Sequence, residues 1–414
     1  MVVARLVGRL GPQHLLGLAR RTAGNREFLI TPSERLTGRQ LFARVDALAA
    51  GLQLLGAGKG ERVAALLPPC TEAAYALFLP WVLGTAEVWL DPDLPEEALC
   101  HALAESDTRF VLTTRDCQGR DLAATVARLR PHLPGLRFVL AKSSGRQENA
   151  AYSIESLIAS GTSLWRARVS PKEEGRIAYV SAAGGLPKGI VHTRGAYWRL
   201  FCREVAGQLD PALFRCLLLP FPLHSYAGWL GLMAALVAGG KVVLMDGFDA
   251  SHALGLVQRE QVTLIAGTPP MLGALVDTAR QGRYDLASLQ LAASFGPCPP
   301  ELVRAVRRHL RCPVTSLYAR EECGLISWTD PHGPAERAAA AGRLAPGVEV
   351  RIVDGQRRPL PGGRHGEVAV RSPQMMAGYH NAPEATAAAL DREGWFYTGD
   401  TGQIDDSGAL ALLP

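Results

Sequence analysis

Lysine is scarce in this 414-residue sequence: only Lys59, Lys142, Lys172, Lys188 and Lys241 occur, so 39 of the 44 basic residues are arginine. A concentrated run of basic residues with interleaved aromatics is missing, and the net charge of +5 is spread along the chain. Nucleic-acid binding, which needs a basic face, therefore has little support. The eight cysteines never form CxxC and never sit beside histidine at zinc spacing. Reduced, mostly buried thiols of a cytoplasmic protein are expected. No secretory signal is visible. The acid-free first stretch with Arg5, Arg9, Arg20 and Arg21 fits a surface helix better than an organellar presequence. The apolar run from Leu217 to Met245 contains Pro220, Pro222, His224 and Gly239-Gly240, which suits buried core and not a membrane span.

What is present suits a globular protein. The chain is 48% hydrophobic and 20% charged, and long enough to bury a large core without disulfides or structural metal. Helical and extended patterns alternate. Leu41–Leu55 has helical spacing and is ended by Gly56 and Gly58, and Thr71–Leu83 is a second helix. Short buried strands are predicted near residues 62–67, 87–90, 110–113 and 138–141, then at 176–181, 216–219, 241–245, 262–266, 289–294 and 314–318. Strands alternating with helices point to parallel α/β sheets. After Asp330 the segments shorten and become turn-rich, as in an antiparallel β module. The expected division is an α/β unit over 1–165, a second α/β unit over 166–330, and a β unit over 331–414.

One turn carries chemistry. Residues 179–189 read YVSAAGGLPKG: a strand entering a loop of small residues with a single lysine. Small residues let backbone N–H groups approach phosphate oxygens, and lysine adds a point charge. The loop lacks the GxxxxGK[ST] pattern, and by itself it is equally a plain strand-to-helix connection.

In company with several motifs nearer the C-terminus, this turn resembles the loop of the AMP-binding (ANL) superfamily of adenylate-forming enzymes. Ser181, Gly185, Pro187, Lys188 and Gly189 match the pattern Ser-Gly-[Ser/Thr]-[Ser/Thr]-Gly-x-Pro-Lys-Gly, and His192 comes three residues later. The segment PFPLHSYAG at 220–228 resembles the carboxylate-pocket segment, with Phe221, His224 and Trp229 as wall candidates; a core histidine competes for His224. SFGPCPP at 294–300 stands at the adenine-side loop, where Gly296 fits and Phe295 is bulkier than usual. LYAREECG at 317–324 resembles Tyr-Gly-x-Thr-Glu. The longest run of matches lies between Gly342 and Asp400 and includes Gly378-Tyr379, Asn381 and Thr398-Gly399-Asp400. The resemblance covers about residues 25–414.

The resemblance implies roles. Lys188 and Glu322 would be catalytic on the phosphate side, with Glu322 as the Mg²⁺ ligand. Ser181, Gly185, Gly296, Tyr318 and Asp400 would bind nucleotide, Tyr318 stacking on adenine and Asp400 taking the ribose hydroxyls. It implies ATP, Mg²⁺ and a CoA or phosphopantetheine acceptor, a small carboxylic acid as substrate, and a carrier protein or a separate C-terminal domain in trans as partner. Departures are equally specific. Ala182, Ala183 and Gly184 replace a glycine and two hydroxyl residues, and Glu321 replaces a threonine. Loss of one such donor costs about 2.7–4 kcal/mol of transition-state stabilisation. No lysine occurs after Lys241, so the family's C-terminal catalytic lysine is absent and the C-terminal domain is expected to be missing, by natural shortening or by a cut at the hinge. Three outcomes stay open: an acid-activating ligase core, a binder of preformed acyl-adenylate, and a non-catalytic ligand-binding protein.

Overall fold

The computed structural model describes residues 23–142, 152–161, 163–182, 185–196, 210–282, 284–338, 342–405 and 408–413, with Gly17 and Arg20. Three sheets form among the described residues. The first has eight strands in the order Gly378–Tyr379, Gly185–Thr193, Glu174–Ala182, Ala86–Trp89, Arg62–Ala65, Phe110–Thr114, Phe138–Lys142 and Tyr152–Ser153. The second has nine, in the order Arg343–Leu344, Gly324–Trp328, Val314–Arg320, Leu291–Phe295, Leu264–Gly267, Cys216–Leu219, Lys241–Leu244, Glu27–Ile30 and Arg35–Thr37. Glu349–Val353, Gly366–Arg371, Phe396–Ile404 and Leu410–Leu413 make a four-stranded antiparallel sheet.

The inner strands of both large sheets pair in parallel; antiparallel strands close both edges of the nine-stranded sheet and one edge of the eight-stranded sheet, whose other edge, Tyr152–Ser153, is parallel. Strands covered on both faces must be apolar throughout, and Phe110–Thr114, Cys216–Leu219 and Leu264–Gly267 are buried at every position. The expected fold, parallel α/β sheets with a small antiparallel β unit, is the observed one. Sheet membership crosses the boundary drawn at 165/166. Residues 27–37 join the second sheet, while the hairpin 174–193 joins the first. The run from Leu217 to Met245 is a buried strand, the helix Tyr226–Ala238 and another buried strand. No helix among the described residues is long and apolar enough to cross a membrane. The seven cysteines described are unpaired, and six of them are buried.

Helix starts are set by the side chains available. Thr37 accepts from the Gln40 N–H and Gln40 returns a bond to the Thr37 N–H, a reciprocal cap that opens Gly38–Leu54. Helix Thr71–Leu83 is buried on nearly every side, and its last carbonyls need donors. Arg194, at the end of the hairpin, supplies them. Its guanidinium donates to the Pro80, Gly84 and Thr85 carbonyls at 2.9, 2.9 and 2.7 Å. Replacing Arg194 by Met strips the guanidinium from all three carbonyls, of which Pro80 keeps the Gly84 N–H and Gly84 keeps the Gly60 N–H, and is expected to cost about 3 kcal/mol of stability. Thermal unfolding checks this, with Arg194→Lys falling between the two.

Candidate functional site

Strands Glu174–Ala182 and Gly185–Thr193 are antiparallel, with Ala182 opposite Gly185. The small-residue turn therefore joins two strands and not a strand to a helix. Ala183, Gly184 and the Ser181 side chain lie outside the described residues. Lys188 is exposed on the returning strand. A Cβ on the next residue, Gly189, would lie 2.9–3.1 Å from Ile177, Tyr179 and His380. Only glycine lets strand Gly378–Tyr379 lie against the hairpin here, where the His380 N–H donates to the Gly189 carbonyl at 2.7 Å. That contact puts Tyr379 beside Lys188, whose Nζ is 5.4 Å from the ring centre. The Tyr379 hydroxyl donates to Glu322 Oε1 at 3.2 Å.

In the nine-stranded sheet, strand Val314–Arg320 presents Tyr318, whose hydroxyl donates to Asp400 Oδ2 at 2.5 Å across 82 residues of sequence. Burial and the Asp400 carboxylate hold the phenol above its usual range, so it remains a donor. Asp400 is set by its own turn. The Thr398 hydroxyl donates to the Val368 carbonyl and accepts from the Asp400 N–H at 3.1 Å. Gly296 comes just after the neighbouring strand, with φ +114 and its N–H on the Leu317 carbonyl at 3.0 Å. Such a φ strongly favours glycine and brings this backbone beside the Tyr318 strand.

The structure thus brings Lys188, Glu322, Tyr318, Asp400 and Gly296 together. Arg320 stands among them. Its Nε is 3.0 Å from Asp400 Oδ2, and its Nη2 donates to the Thr398 carbonyl. Sequence reasoning gave no role to Arg320 or Tyr379; the clues were their positions inside the matched runs LYAREECG and Gly378-Tyr379.

Glu321, in the threonine position, turns inward. Its Oε1 pairs with Arg176 Nη2 at 3.2 Å, and its Oε2 accepts the Tyr226 N–H at 2.9 Å at the start of helix Tyr226–Ala238. A carboxylate is favourable at a helix N-terminus. His192 Nε2 lies 2.7 Å from the Glu321 carbonyl. Burial pushes the His192 pKa down to about 3, so the ring is neutral and Nε2 carries the donated proton. Arg176 also donates to the His224 carbonyl at 2.5 Å and lies 3.8 Å from buried Glu87. Burial outweighs that cation and raises the Glu87 pKa to about 7.

The proposed pocket residues occupy two places. Phe221 and Phe295, each just at or past the end of a parallel strand, meet edge-to-face with ring centres 5.2 Å apart. His224 sits between Arg176, through its carbonyl, and Asp91, 3.8 Å from its Nε2, and burial lowers its pKa. Trp229 is buried in the helix, packs on Tyr226 and lines a small cavity with Glu87, Arg176 and Arg194.

Two parallel α/β sheets and a small antiparallel β unit thus gather a phenol, two carboxylates and a lysine near strand ends. The chain matches the family of AMP-binding enzymes over residues 18–380, and it belongs to that family. It is 28% identical over 374 residues to the medium-chain fatty-acid–CoA ligase of Escherichia coli (strain K12), covering 89% of this chain and 65% of that protein. It is 30% identical over 398 residues to 4-coumarate–CoA ligase 2 of Oryza sativa subsp. japonica, covering 88% and 67%. The chain thus spans about two thirds of the length of these relatives. The inhibitor-bound N-terminal domain of FACL13 from Mycobacterium tuberculosis superposes with a TM-score of 0.86 at 24% identity, covering 98% of this chain and 99% of that one, and shares its fold.

The buried cluster has a pH signature. Folded Glu87 keeps a proton that the unfolded chain releases, so its contribution to stability falls as pH rises from roughly 4.3 to about 7. Folded His192 refuses a proton that the unfolded chain binds, so its contribution is lost as pH falls from roughly 6.5 towards about 3. The two slopes oppose each other where they overlap. Glu87→Gln removes the first, and the thermal midpoint is expected to climb more steeply than that of the unsubstituted protein between about pH 5 and 6.5. Equal slopes in both proteins would refute the assignment.

Proposed function

We propose that this chain is the nucleotide- and carboxylate-binding core of an adenylate-forming acid–thiol ligase. The observation that carries the proposal is the convergence of Tyr318 and Asp400, 2.5 Å apart, with Glu322 and Lys188 linked through Tyr379. A carboxylate accepts the two ribose hydroxyls, an aromatic face accepts adenine, and an ammonium faces phosphate. The acid substrate would lie against Phe221 and Phe295, near His224. Its carboxylate oxygen would attack the α-phosphorus of ATP in line, forming an acyl-adenylate and breaking the bond to pyrophosphate. Lys188 would face the phosphate charge. The relatives named as CoA ligases support a thiol acceptor, either CoA or the phosphopantetheine of a carrier protein. A C-terminal domain acting in trans would complete transfer in the cytoplasm.

The donor set fits Mg²⁺ in one way only. Among the described residues no group of three or more His, Cys, Asp or Glu is placed to hold a metal. Mg²⁺ commonly keeps several waters and takes one carboxylate plus substrate phosphates, and Glu322 would be that carboxylate. Bound there, it would neutralise phosphate charge.

A second reading has its own support. Glu321 offers no hydroxyl to the α-phosphate and is committed to Arg176 and Tyr226. A site so altered would hold a preformed acyl-adenylate better than it makes one.

ATP–pyrophosphate exchange over a panel of carboxylic acids, with and without a separately supplied C-terminal domain, tests both. Exchange establishes the first reading. AMP binding without exchange moves the assignment to the second, and no binding of AMP or ATP removes both, leaving a non-catalytic role. Asp400→Asn is expected to weaken AMP binding about tenfold to a hundredfold by calorimetry.

A further inference from the structure

The pair Arg320–Asp400 occupies the position assigned to the ribose. Arg320 Nε lies 3.0 Å from Asp400 Oδ2, and its Nη2 holds the Thr398 carbonyl in the same turn. Tyr318 takes that same carboxylate oxygen. Asp400 Oδ2 is thus shared by a guanidinium and a phenol. A ribose hydroxyl that takes this oxygen therefore competes with the guanidinium.

We propose that Arg320 is a phosphate-binding residue of this site: it rests on Asp400 when the site is empty and moves to the nucleotide's 5′-phosphate when ribose takes the carboxylate. This rests on the nucleotide-binding reading of the crevice. Three observations support it. The first is position. Arg320 lies between Tyr318 and Glu322 in sequence and beside Asp400 in space, so ribose on Asp400 arrives next to its head group. From the carbon bearing the 3′-hydroxyl, one ring carbon, one methylene and one ester oxygen lead to the phosphorus, a span that a long arginine side chain covers by turning its own torsions.

The second is charge. Glu321 is neutralised internally by Arg176 at 3.2 Å, so it neither repels nor grips a phosphate. Lys188 shares its cation with the Tyr379 ring. Arg320 is the cation whose present partner is the group the ligand claims. The third is donor supply. The phosphate side lacks a threonine at 321, and the turn carries alanine and glycine at 183 and 184 where hydroxyls would serve. A guanidinium offers two parallel N–H donors to a phosphate, which one hydroxyl does not.

The proposal separates from simple blockage by comparing two ligands that differ only in the phosphate. The dissociation constants of AMP and adenosine are measured by calorimetry for the unsubstituted protein, R320Q and R320K. R320Q is expected to weaken AMP by about tenfold while adenosine binds equally well or more tightly, since the guanidinium then no longer competes for Asp400. R320K, which keeps the charge but loses the fork, falls between. It carries the test alone should R320Q fail to fold, a smaller AMP-over-adenosine preference being the supporting result. Two outcomes overturn the proposal. If AMP and adenosine weaken together, Arg320 only orders Asp400. If AMP is unchanged or tightens, Arg320 only obstructs. Failure of the unsubstituted protein to bind either ligand removes the nucleotide reading itself and this inference with it, a result distinct from AMP binding that ignores residue 320.

Discussion

The crevice depends on one carboxylate that never faces it. Glu321 joins three parts of the chain at once: its side chain holds Arg176 and the first N–H of helix Tyr226–Ala238, and its carbonyl holds His192. Arg176 and His192 belong to the eight-stranded sheet, while Glu321 sits in the turn between two strands of the nine-stranded sheet. The two sheets are thereby fixed to each other directly beneath the candidate site. Charges this deep need partners with good geometry, because their desolvation is otherwise uncompensated. The cluster meets that need with a guanidinium, a helix N-terminus and a neutral imidazole.

Around this anchor the polar groups divide into an inner and an outer set. Glu87, Arg176, His192 and Glu321 are committed to one another and to backbone. Lys188, Arg320, Glu322 and Asp400 are more exposed and pair with Tyr379, Tyr318, the Thr398 carbonyl and one another. The substitution of glutamate for threonine at 321 belongs to the inner set. Its effect on phosphate is thus a missing hydroxyl, without the repulsion that a carboxylate would bring had it pointed outward.

Much of the architecture was legible in the sequence because burial on both faces makes a strand uniformly apolar. Cys216–Leu219 and helix Thr71–Leu83 were delimited to the residue, and the apolar run around residue 230 was separated from a membrane span by its prolines and glycines. The order of the motifs located Tyr318, Glu322, Asp400 and Lys188. Pairing between distant segments was not legible: periodicity carries no information on which strand lies beside which. Hence the linear division at 165/166 misses the exchange of residues 27–37 and 174–193 between sheets, and the turn after Ala182, open in sequence to a strand-to-helix connection, returns into a strand. Arg320 and Tyr379 escaped for a related reason. Each acquires its role from a neighbour more than 50 residues away.

The exchange of strands bears on how the chain comes together. Glu27–Ile30 finds its parallel neighbour in Lys241–Leu244, and Arg35 is clasped by Glu260, 225 residues downstream. Glu27–Ile30 has Arg35–Thr37 at hand on one edge, but its other edge waits for Lys241–Leu244. Closing so long a loop is entropically costly, and contacts this remote slow folding. During translation that open edge is therefore available for mispairing with other chains until its distant partner emerges.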